Sequence, residues 1–154
     1  MRIAPAFAVV FSLALTVPAA EPVKLSEDEQ AIVDLTNKER AKAKLPPLTM
    51  NPLLTTVARG HTENMVKQKK LAHVLDGKSP QQRATAGGYK FPVLENCGAS
   101  IQFKTGADLV PLWMGSSGHR ANVLDQRITE IGVGFGKADN GWIYATQLFG
   151  INRK

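Results

Sequence analysis

The chain has 154 residues, of which 44% are hydrophobic, 21% charged and 6% aromatic, with a formal charge of +6. That balance excludes a disordered or fibrous chain and fits one ordinary globular domain. A single cysteine, Cys97, excludes an intrachain disulfide, so the fold must be held by packing.

Residues 1–20 stand apart. Arg2 precedes the uncharged run "IAPAFAVVFSLALTV", and "PAA" follows, which is the pattern of a secretory signal peptide. Val17 and Ala19 suit a cut after Ala19. The run is short for a membrane span, which needs about 20 apolar residues. Removing residues 1–20 leaves 134, enough for one core, and takes Arg2 with it, so the charge falls to +5. The expectation is therefore a signal peptide over 1–20 and a single secreted domain over 21–154. The remaining positive excess favours anionic walls, lipids or polysaccharides. "KQKK", Lys67 to Lys70, is the one dense basic run and suits a solvated helix end. No nucleic-acid motif accompanies it, and nucleic acid is discounted.

"LSEDEQAIVDLTNKERAKAK" is expected to be a helix, capped by Ser26 with Glu29 closing a capping box. Pro46 and Pro47 stop it. Asn51-Pro52 starts a second helix, with Leu54, Val57, Ala58, His61 and Met65 on one apolar face. His61 is expected there as a core histidine with both ring nitrogens satisfied. "SPQQRATAGG" is a short helix with Ser79 as cap and Gly87 or Gly88 at its end. Alternation from Cys97 to Phe103 predicts a strand, with Cys97 either buried or free to pair with another chain. Thr105 to Gly115 predicts a helix that starts near Asp108 or is kinked at Pro111. "TEIGVGFGK" and "WIYATQLFG" are two strands joined by "ADNG", with Asn140-Gly141 as the hairpin signal. The class is α+β, helices covering a mainly antiparallel sheet.

In "TEIGVGFG", Ile131, Val133 and Phe135 alternate with Glu130, Gly132, Gly134 and Gly136. Either the glycines leave a space into which Glu130 projects, or they seat a helix and Glu130 ends the strand in water. His73 in "KLAHVL", Glu95 in "FPVLENCG" and His119 in "WMGSSGHRANVL" also stand beside apolar residues. Two imidazoles and two carboxylates suit a divalent metal or general acid–base work. Their spacing matches no local metal signature.

The run from "LTNKERAKAKLPPL" through "LAHV", "LENCGASI", "LWMGSSGHRANVL" and "TEIGVGFG" to "WIYATQLFG" resembles the CAP superfamily. The name joins cysteine-rich secretory proteins, antigen 5 and pathogenesis-related 1 proteins, and the likeness is to the bacterial, disulfide-free branch. It spans about Leu25 to Gly150. The resemblance implies a three-layer α-β-α sandwich with a groove tetrad that falls on His73, Glu95, His119 and Glu130. It further implies that His73 and His119 carry a divalent metal, zinc first, and that Arg120 and Asn122 hold the turn. Leu94 stands where the family has glycine and Cys97 where it has an aliphatic residue, and either one could narrow the groove or shift Glu95; Pro111 stands where the family has a helix former. The expected function is a secreted module, extracellular or periplasmic, that binds a lipid, glycan or protein ligand. The alternative is a metal-assisted hydrolase of peptides or cell-envelope polymers with Glu95 or Glu130 as base. A serine hydrolase is the weaker variant, since "GSSGH" around Ser116 and Ser117 is not the nucleophile elbow. A tetrad kept only for structure is the third reading.

Export predicts a mature N-terminus near Ala20 or Glu21, read by mass spectrometry on protein recovered outside the cytoplasm; a chain still starting at Met1 there would contradict it.

Overall fold

A computed structural model describes residues 23–152; the expected signal segment lies outside them. Helix α1 spans Glu27–Lys42. Ser26 Oγ accepts from the Glu29 amide at 3.2 Å, and Glu29 Oε2 accepts from the Ser26 amide at 2.8 Å, which is the capping box expected. Strand β1, Thr49–Met50, is followed by α2, Pro52–Gln68, with Asn51 as cap and Pro52 in its first turn. α3 covers Pro80–Ala86 behind the Ser79 cap, and β2 covers Val93–Ser100. A 3₁₀ turn, Gly106–Asp108, leads into α4, Leu109–Gly115, which puts Pro111 in the first turn of the α-helix without a kink. α5, Ser117–Val123, β3, Glu130–Lys137, and β4, Ile143–Gly150, complete the order.

The sheet runs β1-β3-β4-β2. β2–β4 and β3–β4 are antiparallel, whereas β1 pairs parallel to β3, so the sheet is mixed. β4 lies inside the sheet and all eight of its residues are buried. One face carries Ile131, Val133, Ile143, Ala145 and Phe149 against Ile32, Leu109, Trp113 and Val123 from α1, α4 and α5. The other carries Leu148 and Tyr144 under α2 and α3, with Leu54, Ala58, Met65 and Ala84. These are the three layers.

Two sequence expectations shift. The strand expected from Cys97 to Phe103 occupies Val93–Ser100, and Ile101 is exposed beyond it. Its pairing with β4 from Val93↔Gly150 to Ser100↔Ile143 overrides the local alternation. In the hairpin only Gly141 has a positive φ, at 84°; Asn140 does not. The Gly141 amide bonds Ala138 O at 2.9 Å and the Ala138 amide bonds Trp142 O at 2.8 Å, a longer turn than Asn-Gly alone implies.

The glycines of β3 seat a helix. A Cβ on Gly132 would collide with the Leu54 carbonyl carbon, and one on Gly134 would lie 2.5 Å from Ala58 O. The backbone of α2 therefore rests on the sheet with no side chain between.

Gly134→Ala is expected to destabilise the fold by about 1–3 kcal/mol through overpacking. Gly141→Val should cost on the order of 1 kcal/mol from its backbone angle, because a Cβ there meets open space. Gly115→Ala, also in open space but in a helix, should not destabilise. Denaturant unfolding of the three variants checks the ranking; an unaffected Gly134→Ala would contradict the seat.

Candidate functional site

β2 is an edge strand, and Glu95 projects from it toward the α2 side. Its neighbours in the ladder on that face are Leu148 and Gly132. The carboxylate is almost wholly buried, with 2% of its side chain exposed. Each oxygen has its own partner. His73 Nδ1 lies 2.9 Å from Oε1, and Arg83 Nη2 donates to Oε2 at 2.5 Å. The Cys97 thiol, two residues along the same face, also donates to Oε1 at 3.3 Å.

Burial pushes the Glu95 carboxyl upward, but His73, Arg83 and His61 together outweigh it and hold the group below the usual range. It is an anion. Nδ1 of neutral His73 must then be the donor, which leaves the Nε2 lone pair free. The hydrogen bond it donates to Glu95 is also the main reason the His73 ring titrates above its ordinary value.

His73 sits on the loop between α2 and α3, half exposed. That loop is pinned from several sides. His61 Nε2 lies 2.9 Å from Ala72 O, Arg83 Nη1 donates to His73 O at 2.9 Å and to Lys78 O at 2.8 Å, and Asn64 and Gln68 donate to the Asp76 carboxylate. Asp76 and Gly77 turn the chain with φ of 50° and 70°.

His119 is carried by α5, which packs against β2. Asn96 points to the α5 side and donates to His119 O at 3.1 Å and to Gln147 Oε1 at 3.1 Å. Asn122 donates to Asn96 Oδ1 and to Glu95 O, so it holds the turn as expected. Gln147 continues the network to Thr36 Oγ1 of α1 at 2.7 Å. The loop that carries His73 and the helix that carries His119 thus flank β2 on opposite faces of the sheet. Burial first and the charge of His73 second depress the His119 ring. Its Nδ1 is buried without a hydrogen-bond partner among the described residues.

The fourth expected residue, Glu130, has other partners. Tyr89 Oη donates to Oε2 at 2.6 Å, and Asn51 and Asn152 Nδ2 donate to Oε1 at 3.1 and 3.4 Å. Asn51 is also the cap of α2, so Glu130 sits at the positive end of that helix. Its contacts join it to the helix start, and none joins it to His73, Glu95 or His119 among the described residues.

His61, Arg83 and Cys97 surround Glu95 instead. His61 is the buried residue expected, but only one ring nitrogen is satisfied; Nδ1 has no partner among the described residues. Nothing in the local sequence singles out Arg83. Ligating atoms of His61, Glu95 and Cys97 lie within 4.8 Å of one another, close enough to share one ion. Each is already engaged, though: His61 Nε2 with Ala72 O, Glu95 Oε2 with Arg83, and the thiol with Oε1. Burial and the Glu95 charge also push the thiol well up, so it stays protonated. Cys97 is free and buried. Leu94 packs on the opposite face from Glu95, into the α1 and α4 core.

The model of the cysteine-rich secretory protein family, CAP, matches residues 33–149. An uncharacterized Bacillus subtilis protein, YkwD, is 33% identical over 138 residues, covering 84% of this chain and 49% of its own length. A Bacillus subtilis membrane protein, YlbC, is 32% identical over 79% of this chain and 34% of its own length. The chain thus spans half or less of these relatives. Among solved structures, an extracellular Bacillus anthracis protein containing an SCP domain superposes with a TM-score of 0.71 at 28% identity, over 81% of this chain and 40% of that one. An outer surface protein of Borrelia burgdorferi gives 0.76 at 20% identity, over 85% of this chain and 97% of that one, which speaks for the fold alone.

The three histidines are expected to titrate apart in NMR, His73 above about 6.5 and His61 and His119 below it. The signs of their effect on stability differ. For His73 the folded pKa is raised, so its contribution is full below the unfolded value and is lost as pH rises through the folded one. For buried His61 burial depresses the folded pKa, so stability present above the unfolded value is lost as pH falls. A His73 that titrates below His61 would contradict the pairing with Glu95.

Proposed function

The chain belongs to the cysteine-rich secretory protein (CAP) family, and on that premise we propose that it is an exported extracellular binding module whose groove lies over the free edge of β2. In this reading His73 and His119 hold a divalent ion, zinc first, and the ion offers a docking point for an oxygen-bearing ligand. The observation that carries it is the buried Glu95 carboxylate accepting from His73 Nδ1. A carboxylate behind a histidine is the arrangement that fixes the tautomer and orients the outward nitrogen for a metal. His73 would ligate through Nε2, and His119 supplies the second imidazole, whose Nδ1 has no partner among the described residues.

The same geometry argues against hydrolysis with Glu95 as base. Both its oxygens are taken, and its carboxyl is held low, which makes it a poor proton acceptor near neutral pH. Export is supported by the basic start, apolar run and small-residue exit of residues 1–20, and by the extracellular Bacillus anthracis relative. Among the described residues no helix is long and apolar enough to cross a membrane.

Titration calorimetry with zinc on tag-free protein tests the reading. Binding should weaken as pH falls below about 6.5, since imidazole must lose its proton to coordinate. The His73→Ala, His119→Ala double variant should lose tight binding, and Glu95→Gln should weaken it about 10–100-fold. Glu130→Gln should leave affinity unchanged, because its oxygens serve Tyr89, Asn51 and Asn152. Zinc bound equally well by the double variant would refute the site, and a loss only in Cys97→Ser would move it to His61, Glu95 and Cys97.

A further inference from the structure

We propose that Arg83 is the positioning residue of the groove: its guanidinium sets the tautomer and aim of His73 by holding both the carboxylate behind the ring and the backbone that carries it. Nη2 donates to Glu95 Oε2 at 2.5 Å, while Nη1 donates to His73 O at 2.9 Å and Lys78 O at 2.8 Å. One planar group therefore spans three acceptors on two separate segments, β2 and the loop between α2 and α3.

The arrangement divides the carboxylate. With Oε2 taken by Arg83, Oε1 is the oxygen left to face His73 Nδ1. A neutral imidazole in water has no partner to fix its proton on Nδ1; here an ionised acceptor does so, and Arg83 fixes the rotamer of that acceptor. The backbone bonds matter equally. His73 is half exposed and its ring makes one hydrogen bond, so the direction of the ring follows from where the loop sits. Arg83 ties the loop at His73 and again at Lys78, across the tight turn at Asp76 and Gly77.

Arginine is needed for this. Its rigid fork can serve a carboxylate and two carbonyls at once, whereas a lysine ammonium is a point donor on a flexible stem. The guanidinium is placed by α3, whose capping box at Ser79 and Gln82 fixes the start of a seven-residue helix. The side chain is 11% exposed, so it acts from beneath the groove and does not line it.

The inference concerns the same groove as the proposed function, but its first readout needs no metal. Imidazole ¹⁵N shifts, taken at a pH above the titration of His73, report whether the neutral ring carries its proton on Nδ1 or Nε2. The wild type should show Nδ1–H. Arg83→Lys, which keeps the charge, and Arg83→Gln, which keeps a donor, should both move His73 toward Nε2–H, as should Glu95→Gln. Amide exchange across residues 71–78 should quicken in both Arg83 variants. Zinc affinity of the folded Arg83→Lys protein should fall about 10-fold or more, as for groups that orient a ligand. If Arg83→Lys keeps the wild-type Nδ1–H signature and slow exchange, Arg83 merely braces the fold and the inference is overturned, even if thermal stability drops. If the wild type binds no zinc, the metal reading fails on its own, and the tautomer and exchange readouts still decide the role of Arg83.

Discussion

Helix α2 lies directly on β3, and the surroundings of Glu95 depend on that contact. Gly132 and Gly134 offer no Cβ, so the carbonyl groups of Leu54 and Ala58 come down onto the strand itself. That contact fixes the height of the helix over the sheet. At that height Ala58 and Met65 reach the core, Thr62 Oγ1 donates to Thr146 Oγ1 at 2.9 Å, and His61 arrives beside Glu95 with Nε2 at 3.9 Å from Oε1. A side chain on either glycine would lift the helix and with it the residue that holds Ala72, the neighbour of His73.

With the layers set, the second constraint is electrostatic. A carboxylate removed from water is costly unless it is paired and hydrogen-bonded, and leaving such a group alone costs several kcal/mol, roughly 3–5 by comparison with broken buried pairs. Glu95 meets that requirement with one donor to each oxygen and the thiol of Cys97 besides. On the other face, Asn96, Gln147 and Thr36 form a fully buried amide and hydroxyl chain that connects α1 through β4 and β2 to α5. Adjacent residues of β2 thus feed two different networks, one holding the His73 ring and the other the His119 backbone.

Much of the frame was legible in the sequence because its signals are local. The Ser26 box, the Ser79 cap and the Asn51-Pro52 start each act within four residues, and the structure shows all of them, whereas of the Asn140-Gly141 pair only Gly141 takes a positive φ. The extent of β2 was not, because pairing with β4 set it and the alternation of residues 97–103 did not. His73, Glu95 and His119 were named through motif resemblance, and the structure pairs the first two, whereas Arg83 sits in a helix whose polar residues look like ordinary surface. Its partners lie 10 and 12 residues away, a relation no local pattern encodes. Glu130 was ambiguous for the opposite reason. The glycine stripe beside it is explained by helix seating, and its carboxylate is explained by Tyr89, Asn51 and Asn152. Tyr89 in turn is pushed up, first by burial and then by Glu130, so that phenol remains a donor.

The sharing of one buried carboxylate between His73 and Arg83 bears on what His73 can do. An imidazolium cannot ligate a metal because both its nitrogens carry protons. Arg83 supplies a permanent charge at Oε2 and, by its own field, opposes protonation of His73. The Glu95 bond still holds the ring above its ordinary value, so the neutral form, with Nδ1–H directed at Oε1, prevails once pH exceeds that raised value. An ion at Nε2 would take the place that a second proton holds at low pH, so acid and metal compete for one lone pair on a ring already fixed in direction. The histidine would supply the lone pair, while the arginine beneath it holds the carboxylate and the backbone that aim the ring.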